Sequence, residues 1–508
     1  MKKKIVIVGG GSAGWITLSY LAATTDAELV IIHSNEIDPI GVGESTTPTI
    51  KHVADAIGVD ETRWMKDAKA TFKYGVEFND FNRIGSRWLH SFDDMLPHQC
   101  FSRPITENGK ELYTKELTSI DYFLNHYKKD AGWFNRTHGP QEYLIENRLS
   151  PYNRRNEVNI SQYPGYSYHI NAFEFGNSLR DHTSKDRYIE IQKKVVEVFY
   201  NDDGIDYLLL EDGSKMYSDI YVDCTGFKKL LIGKLTEWTR YDLINNAAIW
   251  GPINDVHSDN PTTQVFARES GWTWAIPTWD RIGTGYVYSE EFISEDKATT
   301  DTIEFWKNRG HKWEPTNSIK FNAGRCKSPT IKNVVGNGLA QSFLEPLEAT
   351  SIMVTCVTVK TLSELLNKHK DNEWTAKTAE IHSRIMIQFI DHTKKFVQYH
   401  YKISERDDTP YWREVANKPN AVQELCDYID VLSKGKWLSK GETLLNQWNW
   451  TSMMLGFEKQ YMNQIPDIES SRIDEYVHYT DLLIKNYEFI VGKNVPLKEM
   501  LKRIHDPT

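Results

Sequence analysis

Ile5-Val6-Ile7-Val8-Gly9-Gly10-Gly11-Ser12-Ala13-Gly14-Trp15 is the stretch on which the fold turns. Four apolar, β-branched residues read as a short strand buried on both faces. Glycines at 9, 11 and 14 follow at once, and residues 15–23 then read as a helix. In that setting G-x-G-x-x-G has a mechanical meaning. Gly9 permits the tight turn, Gly11 lets the backbone approach a pyrophosphate, and Gly14 lets helix and strand pack closely. With Ser12 and Ala13, the unpaired N–H groups of the helix start face the phosphates. Residues 28–32 supply a second strand, so the chain opens on a βαβ unit and a dinucleotide site. The end of that second strand usually carries an acid for the ribose hydroxyls. Here the position falls on His33, with Glu36 slightly later, which makes His33 the expected ribose partner and weakens the grip on the adenosine end.

Two later segments favour FAD over NAD. Asp219-Ile220-Tyr221-Val222-Asp223-Cys224-Thr225-Gly226-Phe227 is a strand ending in a small-residue turn, similar to the strand-then-Thr-Gly segment of FAD-dependent monooxygenases and halogenases. Val335-Gly336-Asn337-Gly338-Leu339-Ala340 precedes another helix and resembles a segment that holds a flavin's ribityl chain. Between the pieces, residues 51–150 read as helical segments mixed with aromatic loops, and residues 190–225 and 245–290 as strands. From about 371 the chain reads as mainly helical. The expected class is α/β: a Rossmann-like FAD-binding module of the flavin monooxygenase type with inserted segments, and a mainly helical C-terminal module.

The chain has 508 residues, more than the ~250–300 at which one core stops growing. Two packed modules are therefore expected: 1–370 for FAD, with a substrate-side insertion at about 51–170, and 371–508 for substrate. A formal net charge of −10 repels nucleic acid and anionic membranes, so neither is an expected partner. Five scattered cysteines without a CxxC pair predict reduced thiols, no metal site and a cytoplasmic setting. The apolar run at the N-terminus is too short for a signal peptide, and no stretch approaches a membrane span. An aromatic share of 12% suits a large core as well as a pocket for a flat ligand.

Several longer matches point to a family. Gly271-Trp272-Thr273-Trp274-Ala275-Ile276-Pro277 fits GWxWxIP without a mismatch. Gly41-Val42-Gly43-Glu44-Ser45-Thr46-Thr47-Pro48 fits a GxGExTxP loop, and Phe343-Leu344-Glu345-Pro346-Leu347-Glu348-Ala349-Thr350-Ser351 an EPLE(S/A)T segment. His400-Tyr401 followed by Arg406-Asp407-Asp408-Thr409-Pro410-Tyr411-Trp412 fits a later helix boundary. In these motifs, and over nearly its whole length, the chain resembles the flavin-dependent tryptophan halogenase family.

The resemblance implies reduced FAD, dioxygen and a halide as reactants, with hypohalous acid carried to an electron-rich aromatic substrate. Trp272 and Trp274 then wall the flavin from the substrate, where the competing reading makes them core residues on one strand face. Lys73 matches the catalytic lysine that aims the halogen, where periodicity alone gives a surface lysine. Glu348 matches the catalytic glutamate, which holds the lysine, polarises hypohalous acid or takes the ring proton. The competing reading is a carboxylate beside a helix start. Glu345 ranks below it. Gly43, Glu44, Ser45, Gly336 and Leu344 fall to the cofactor. Halide is expected at the N–H groups of Thr350 and Ser351. Many family members carry glycine where this chain has Ser351, and bromide and iodide are easier to oxidise than chloride, so bromide, and with it iodide, is expected to be used more readily than chloride. Trp450 is a candidate wall of the substrate pocket and equally a core residue. No second nucleotide fingerprint is present, so a separate flavin reductase is the expected transient partner. Family relatives are often dimers, which leaves a homo-oligomer open. Two competing functions share the cofactor module: an FAD-dependent aromatic hydroxylase and a non-catalytic flavin-binding protein.

Overall fold

The computed structural model describes residues 2–34, 44–92, 105–107, 110–112, 135–136, 139–158, 165–254, 256–368, 374–417, 447–457 and 470–506. The opening stretch forms the strand Lys4–Val8 and the helix Ser12–Thr24. Ile5, Val6 and Ile7 are fully buried, as an unbroken apolar run in a central parallel strand should be. This strand lies inside a six-stranded sheet ordered Tyr188–Gln192, Glu28–His33, Lys4–Val8, Ile220–Asp223, Val334–Gly336 and Thr330–Ile331. The first five strands run parallel and the last is antiparallel. Register sets Val8 beside Asp223 and Asp223 beside Gly336. The C-terminal ends of the strands from the glycine-rich start and the two later FAD-type segments therefore form one edge, where open α/β sheets bind their ligands.

A second sheet has seven strands, in the order Asn317–Lys320, Ala247–Asn254, Arg281–Tyr288, Gly271–Pro277, Thr262–Arg268, Gly75–Asn79 and Arg87–Ser91. The strand Gly271–Pro277 is buried along its whole length. Here the expectation for residues 51–150 needs correcting: Thr71–Lys73, Gly75–Asn79 and Arg87–Ser91 are strands, not parts of aromatic loops. Gly75–Asn79 pairs in parallel with Thr262–Arg268, a partner so distant in sequence that no local pattern reveals it. A three-stranded sheet joins Glu44–Ser45, Ser167–Ile170 and Thr71–Lys73. It fixes the segment that follows the nucleotide-binding unit against the strand carrying Lys73.

The C-terminal part is mainly helical, with Ala376–Ile403, Pro410–Asn417, Gln447–Gly456, Ser470–Val491 and Leu497–His505. Phe396, Tyr399, Tyr401, Trp412 and Trp450 share one core with Trp272 and Trp274 of the seven-stranded sheet. Leu497, Met500, Leu501 and Ile504 of the last helix instead join the core around Ile5 and Trp15. Cys224, Cys326 and Cys356 are buried and free, and burial pushes their thiols up to about 12. Among the described residues no helix is long and apolar enough to cross a membrane.

Candidate functional site

The glycine turn is shaped to admit a ligand on one side only. Gly9 has φ +121°, and a Cβ there would collide with the Cys224 carbonyl. A Cβ on Gly14 would collide with the Gly9 carbonyl, which is the close packing its place in the motif predicts. Gly11 faces open space, with nothing within 4 Å of where a Cβ would stand. It also begins the helix Ser12–Thr24 with no side chain capping the first N–H groups. The Ser12 hydroxyl is turned away and donates to the Ala172 carbonyl at 2.9 Å. Unpartnered N–H groups above an open glycine fit a dinucleotide's diphosphate. Gly338, with φ +62°, approaches Ala13 from the Val334–Gly336 side and closes the crevice. The Glu44 carboxylate accepts from the Ala172 N–H at 2.9 Å, and the Ser45 hydroxyl bonds Thr263 at 2.6 Å. Leu344 is buried, and Gly43 lies outside the described residues.

Lys73 is fully buried, which corrects the surface position that its polarity alone would give it. Its Nζ donates to the Thr46 carbonyl at 2.9 Å and sits 4.7 Å from the Phe92 ring centroid. Burial pulls its pKa down to about 7, against the partial support of the Glu348 charge. Amine and ammonium are therefore both present at neutral pH. Glu348 is buried between two imidazoles. His90 Nδ1 donates to its Oε1 at 2.9 Å, and His400 Nε2 donates to the same oxygen at 2.7 Å. His400 Nδ1 in turn donates to the Phe396 carbonyl at 2.7 Å, and His90 Nε2 meets the Asn449 side chain at 3.1 Å. Burial works to raise the Glu348 carboxyl, but the charges and hydrogen bonds of His90 and His400 outweigh it and hold it well below the usual range. Among the described residues no hydrogen bond reaches Oε2, so one oxygen is pinned and the other is left to act.

Glu345 has its own task and is not a lesser copy of Glu348. It is buried, and its Oε2 accepts from Trp272 Nε1 at 2.9 Å, Asn245 Nδ2 at 2.6 Å and the Tyr401 hydroxyl at 2.7 Å. The Tyr411 hydroxyl extends the network to Asn245 Oδ1 at 3.0 Å. Trp272 is thereby fixed in orientation, with Trp274 6.0 Å away between ring centroids on the same strand face. Burial raises the Glu345 carboxyl despite these donors. Glu345→Ala would strand three buried donors, and a loss of about 3 kcal/mol is expected, read as a fall in thermal midpoint. Glu345→Gln keeps an acceptor oxygen and should stay within about 1 kcal/mol of the parent. Equal losses in the two variants would show that the acceptor is not what matters.

The turn after Glu348 is strained. Ala349 has φ +58°, a left-handed conformation costing roughly 1 kcal/mol for a residue with a Cβ. It brings the Glu348 side chain next to the start of the helix Thr350–Lys368. Thr350 and Ser351 are the first two helical residues, so their N–H groups have no intrahelical partner. The Thr350 hydroxyl is buried and without a hydrogen-bond partner, a donor set suited to a small anion.

The structure thus brings Lys73, from the strand Thr71–Lys73, within charge range of Glu348, while Glu345 of the same segment as Glu348 holds Trp272 and Thr350 starts the helix that follows. Trp450 is buried against Phe396 and Tyr399, at 5.2 and 4.9 Å between centroids, which makes it part of the core beside Asn449. Sequence reasoning missed His90 and Asn449, and it placed His400 only in a helix-boundary motif with no role toward Glu348, because a histidine on a strand or a helix carries no local sign of a distant carboxylate. His33 does stand at the end of its strand, but its imidazole is bonded to Glu190, which sequence reasoning also missed.

A family profile described as "Tryptophan halogenase" matches residues 4–467. The chain is 28% identical over 544 residues to tryptophan 7-halogenase RebH of Lentzea aerocolonigenes, covering 99% of this chain and 97% of that one. It is 30% identical over 444 residues to tryptophan 6-halogenase SttH of Streptomyces toxytricini, covering 83% and 82%. Among solved structures, the tryptophan halogenase of Shewanella frigidimarina NCIMB 400 shares the fold with a TM-score of 0.87 at 23% identity, covering 100% of this chain and 98% of that one. The flavin-dependent halogenase BrvH of Brevundimonas sp. BAL3 does so with a TM-score of 0.82 at 24% identity, over 99% of each. With its nucleotide crevice, its buried lysine and carboxylate, and a match spanning nearly all its residues, the chain belongs to the tryptophan halogenase family and is an FAD-dependent halogenase.

Proposed function

We propose that the protein uses reduced FAD from a separate reductase, dioxygen and halide to form hypohalous acid, and that Lys73 relays the halogen to the ring of an indole such as tryptophan. The observation that carries this reading is the fully buried Lys73 amine with a pKa near 7, coupled to Glu348. FAD supplies the oxidising chemistry when bound. Gly9, Gly11, Ser12, Ala13 and Gly14 hold its diphosphate, and His33 its adenosine ribose. Glu44, Ser45, Gly336 and Leu344 shape the flavin side of the crevice, with Gly43 assigned to it from the motif. Trp272 and Trp274 keep the ring substrate from the flavin. Thr350 and Ser351 take the halide. The Lys73 ammonium donates a hydrogen bond to hypohalous acid, or its neutral amine exchanges a proton for halogen and releases water. The ring then takes the halogen, and its displaced proton goes to Glu348 Oε2. Trp450 supports the substrate side from the core. This reading keeps a flavin module of residues 1–370 and a helical substrate module of residues 371–508, except that the last helix, Leu497–His505, packs into the flavin module's core.

The test supplies FAD, a flavin reductase, NADH, a halide and L-tryptophan, and reads product mass. A halogen isotope pattern is expected. An added oxygen would mean a hydroxylase, and tight FAD without product or hypohalous acid a mere flavin carrier. One solved neighbour, a tryptophan C-6 halogenase, is itself named a "chlorinase". Bromide is the easier anion to oxidise, so an equimolar mixture should give brominated product in excess. Chlorinated product in excess would overturn that preference.

A further inference from the structure

The position that usually carries the ribose-binding acid holds His33, yet a carboxylate is supplied there from elsewhere in the chain. Glu190 lies on the strand Tyr188–Gln192, which flanks Glu28–His33 in the parallel sheet and pairs Gln192 with His33. Glu190 Oε1 accepts from His33 Nε2 at 2.9 Å. Arg180 holds the same carboxylate from the helix Ala172–His182, with its NH2 2.5 Å from Oε1, while its guanidinium lies 5.5 Å from the Trp15 ring centroid. Trp15 meets the His33 ring edge-on at 5.8 Å. Three side chains, from the neighbouring strand, the helix Ala172–His182 and the glycine-rich helix, thus hold one imidazole in place.

The lock decides which nitrogen acts. An ionised carboxylate only accepts hydrogen bonds, and Glu190 is kept ionised: burial would raise it, but bonds from His33 and Gln192 and the charge of Arg180 outweigh burial. His33 Nε2 therefore carries the proton, and in the neutral ring Nδ1 is an acceptor. Nδ1 lies on the ring edge that packs beside Gly10 of the glycine turn. A Cβ built on Gly10 would stand 3.0 Å from His33 Nδ1 and 2.7 Å from His33 Cβ. Nδ1 therefore lies beside the backbone of the glycine-rich turn, where a dinucleotide brings its adenosine ribose. A ribose hydroxyl needs an acceptor there, and the usual acid provides one directly.

We infer that Glu190 is a positioning residue for FAD: through His33 it presents Nδ1 as the acceptor for an adenosine ribose hydroxyl, so that His33 and Glu190 together replace the single acid. This rests on the flavin reading of the crevice. It differs from a purely structural pin, because its effect must depend on the ribose hydroxyls.

Binding, not turnover, tests it. FAD is titrated by its fluorescence, and ADP and 2′,3′-dideoxy-ADP are measured as competitors, for the parent, Glu190→Leu, Glu190→Gln and His33→Glu/Glu190→Leu. Glu190→Leu should weaken FAD and ADP about tenfold, the scale of one hydrogen bond between a hydroxyl and an oriented acceptor. Dideoxy-ADP should bind parent and Glu190→Leu within about twofold, because the coupled group is missing. Glu190→Gln keeps an acceptor for Nε2 and should stay close to the parent. His33→Glu/Glu190→Leu restores the direct acid and should recover FAD affinity. If dideoxy-ADP loses as much as ADP, or if ADP affinity does not change, Glu190 does not act on the ribose and the inference is overturned. A parent chain that binds no FAD at all would instead sink the flavin reading itself.

Discussion

Lys73→Met is expected to abolish halogenated product, by more than about a thousandfold, while the variant melts a few degrees higher than the parent. The two effects have one cause. Keeping an ammonium in a fully buried site costs on the order of 4 kcal/mol, judged from a pKa brought from 10.5 to about 7. Methionine fills a similar volume without a charge. It leaves the Thr46 carbonyl without its donor, a smaller loss of about 1 kcal/mol. Hypohalous acid should still form and be trapped by a free thiol or phenol in solution, because in the proposed relay the lysine acts after halide oxidation. The pH dependence follows from the same shift. Between about 7 and 10.5 the unfolded chain binds a proton that the folded chain does not, so parental stability rises with pH through that window and the gap to Lys73→Met narrows. If halogenation goes through the neutral amine, its rate climbs as pH rises through about 7. If it goes through the ammonium, the rate falls over the same range. Full regioselective halogenation by Lys73→Met would remove the basis for the relay.

Glu348→Gln is expected to cut halogen transfer by about two to four orders of magnitude, with hypohalous acid formation and FAD affinity unchanged. Glutamine is close to isosteric, and its carbonyl can still accept from His90 and His400, so the fold and the pinned oxygen survive. What is lost is the carboxylate charge near Lys73 and, on the proposed mechanism, the base that takes the ring proton. Since both imidazoles hold the Glu348 carboxyl well below its usual range, it stays ionised at any pH the enzyme is assayed at. The pH profile near neutrality should therefore follow Lys73 and not Glu348. Single-turnover assays with limiting reduced flavin, reading product and hypohalous acid side by side, separate the two steps. Equal loss of both would place Glu348 in halide oxidation instead.

What could be read from the chain in advance was what short stretches encode. Gly9 and Gly14 identify themselves because a turn with positive φ and a helix packed against a carbonyl leave no alternative residue, while Gly11 completes the spacing and faces open space. GWxWxIP showed up as a motif, and its placement on a strand followed from its alternation. The sites that escaped are built from single residues far apart. Glu190 and His33 are separated by 157 positions, His90 and Glu348 by 258. A lone histidine or glutamate has the same local pattern whether it is solvated or buried against a partner. Gly75–Asn79 escaped for a related reason: a strand whose partner is the distant segment Thr262–Arg268 is defined by that pairing and not by its own five residues.

By itself the sequence determined the parallel α/β frame, the place of the nucleotide crevice and the family, because backbone geometry and motif spacing are local properties. Only the tertiary structure decided the charge states and partners. It sank Lys73 to a pKa near 7, split Glu345 and Glu348 into an anchor for Trp272 and a carboxylate pinned by two histidines, and gave His33 its carboxylate from the next strand. Burial and hydrogen bonding set these properties, and both depend on what the folded chain brings alongside a residue, whatever its neighbours in sequence.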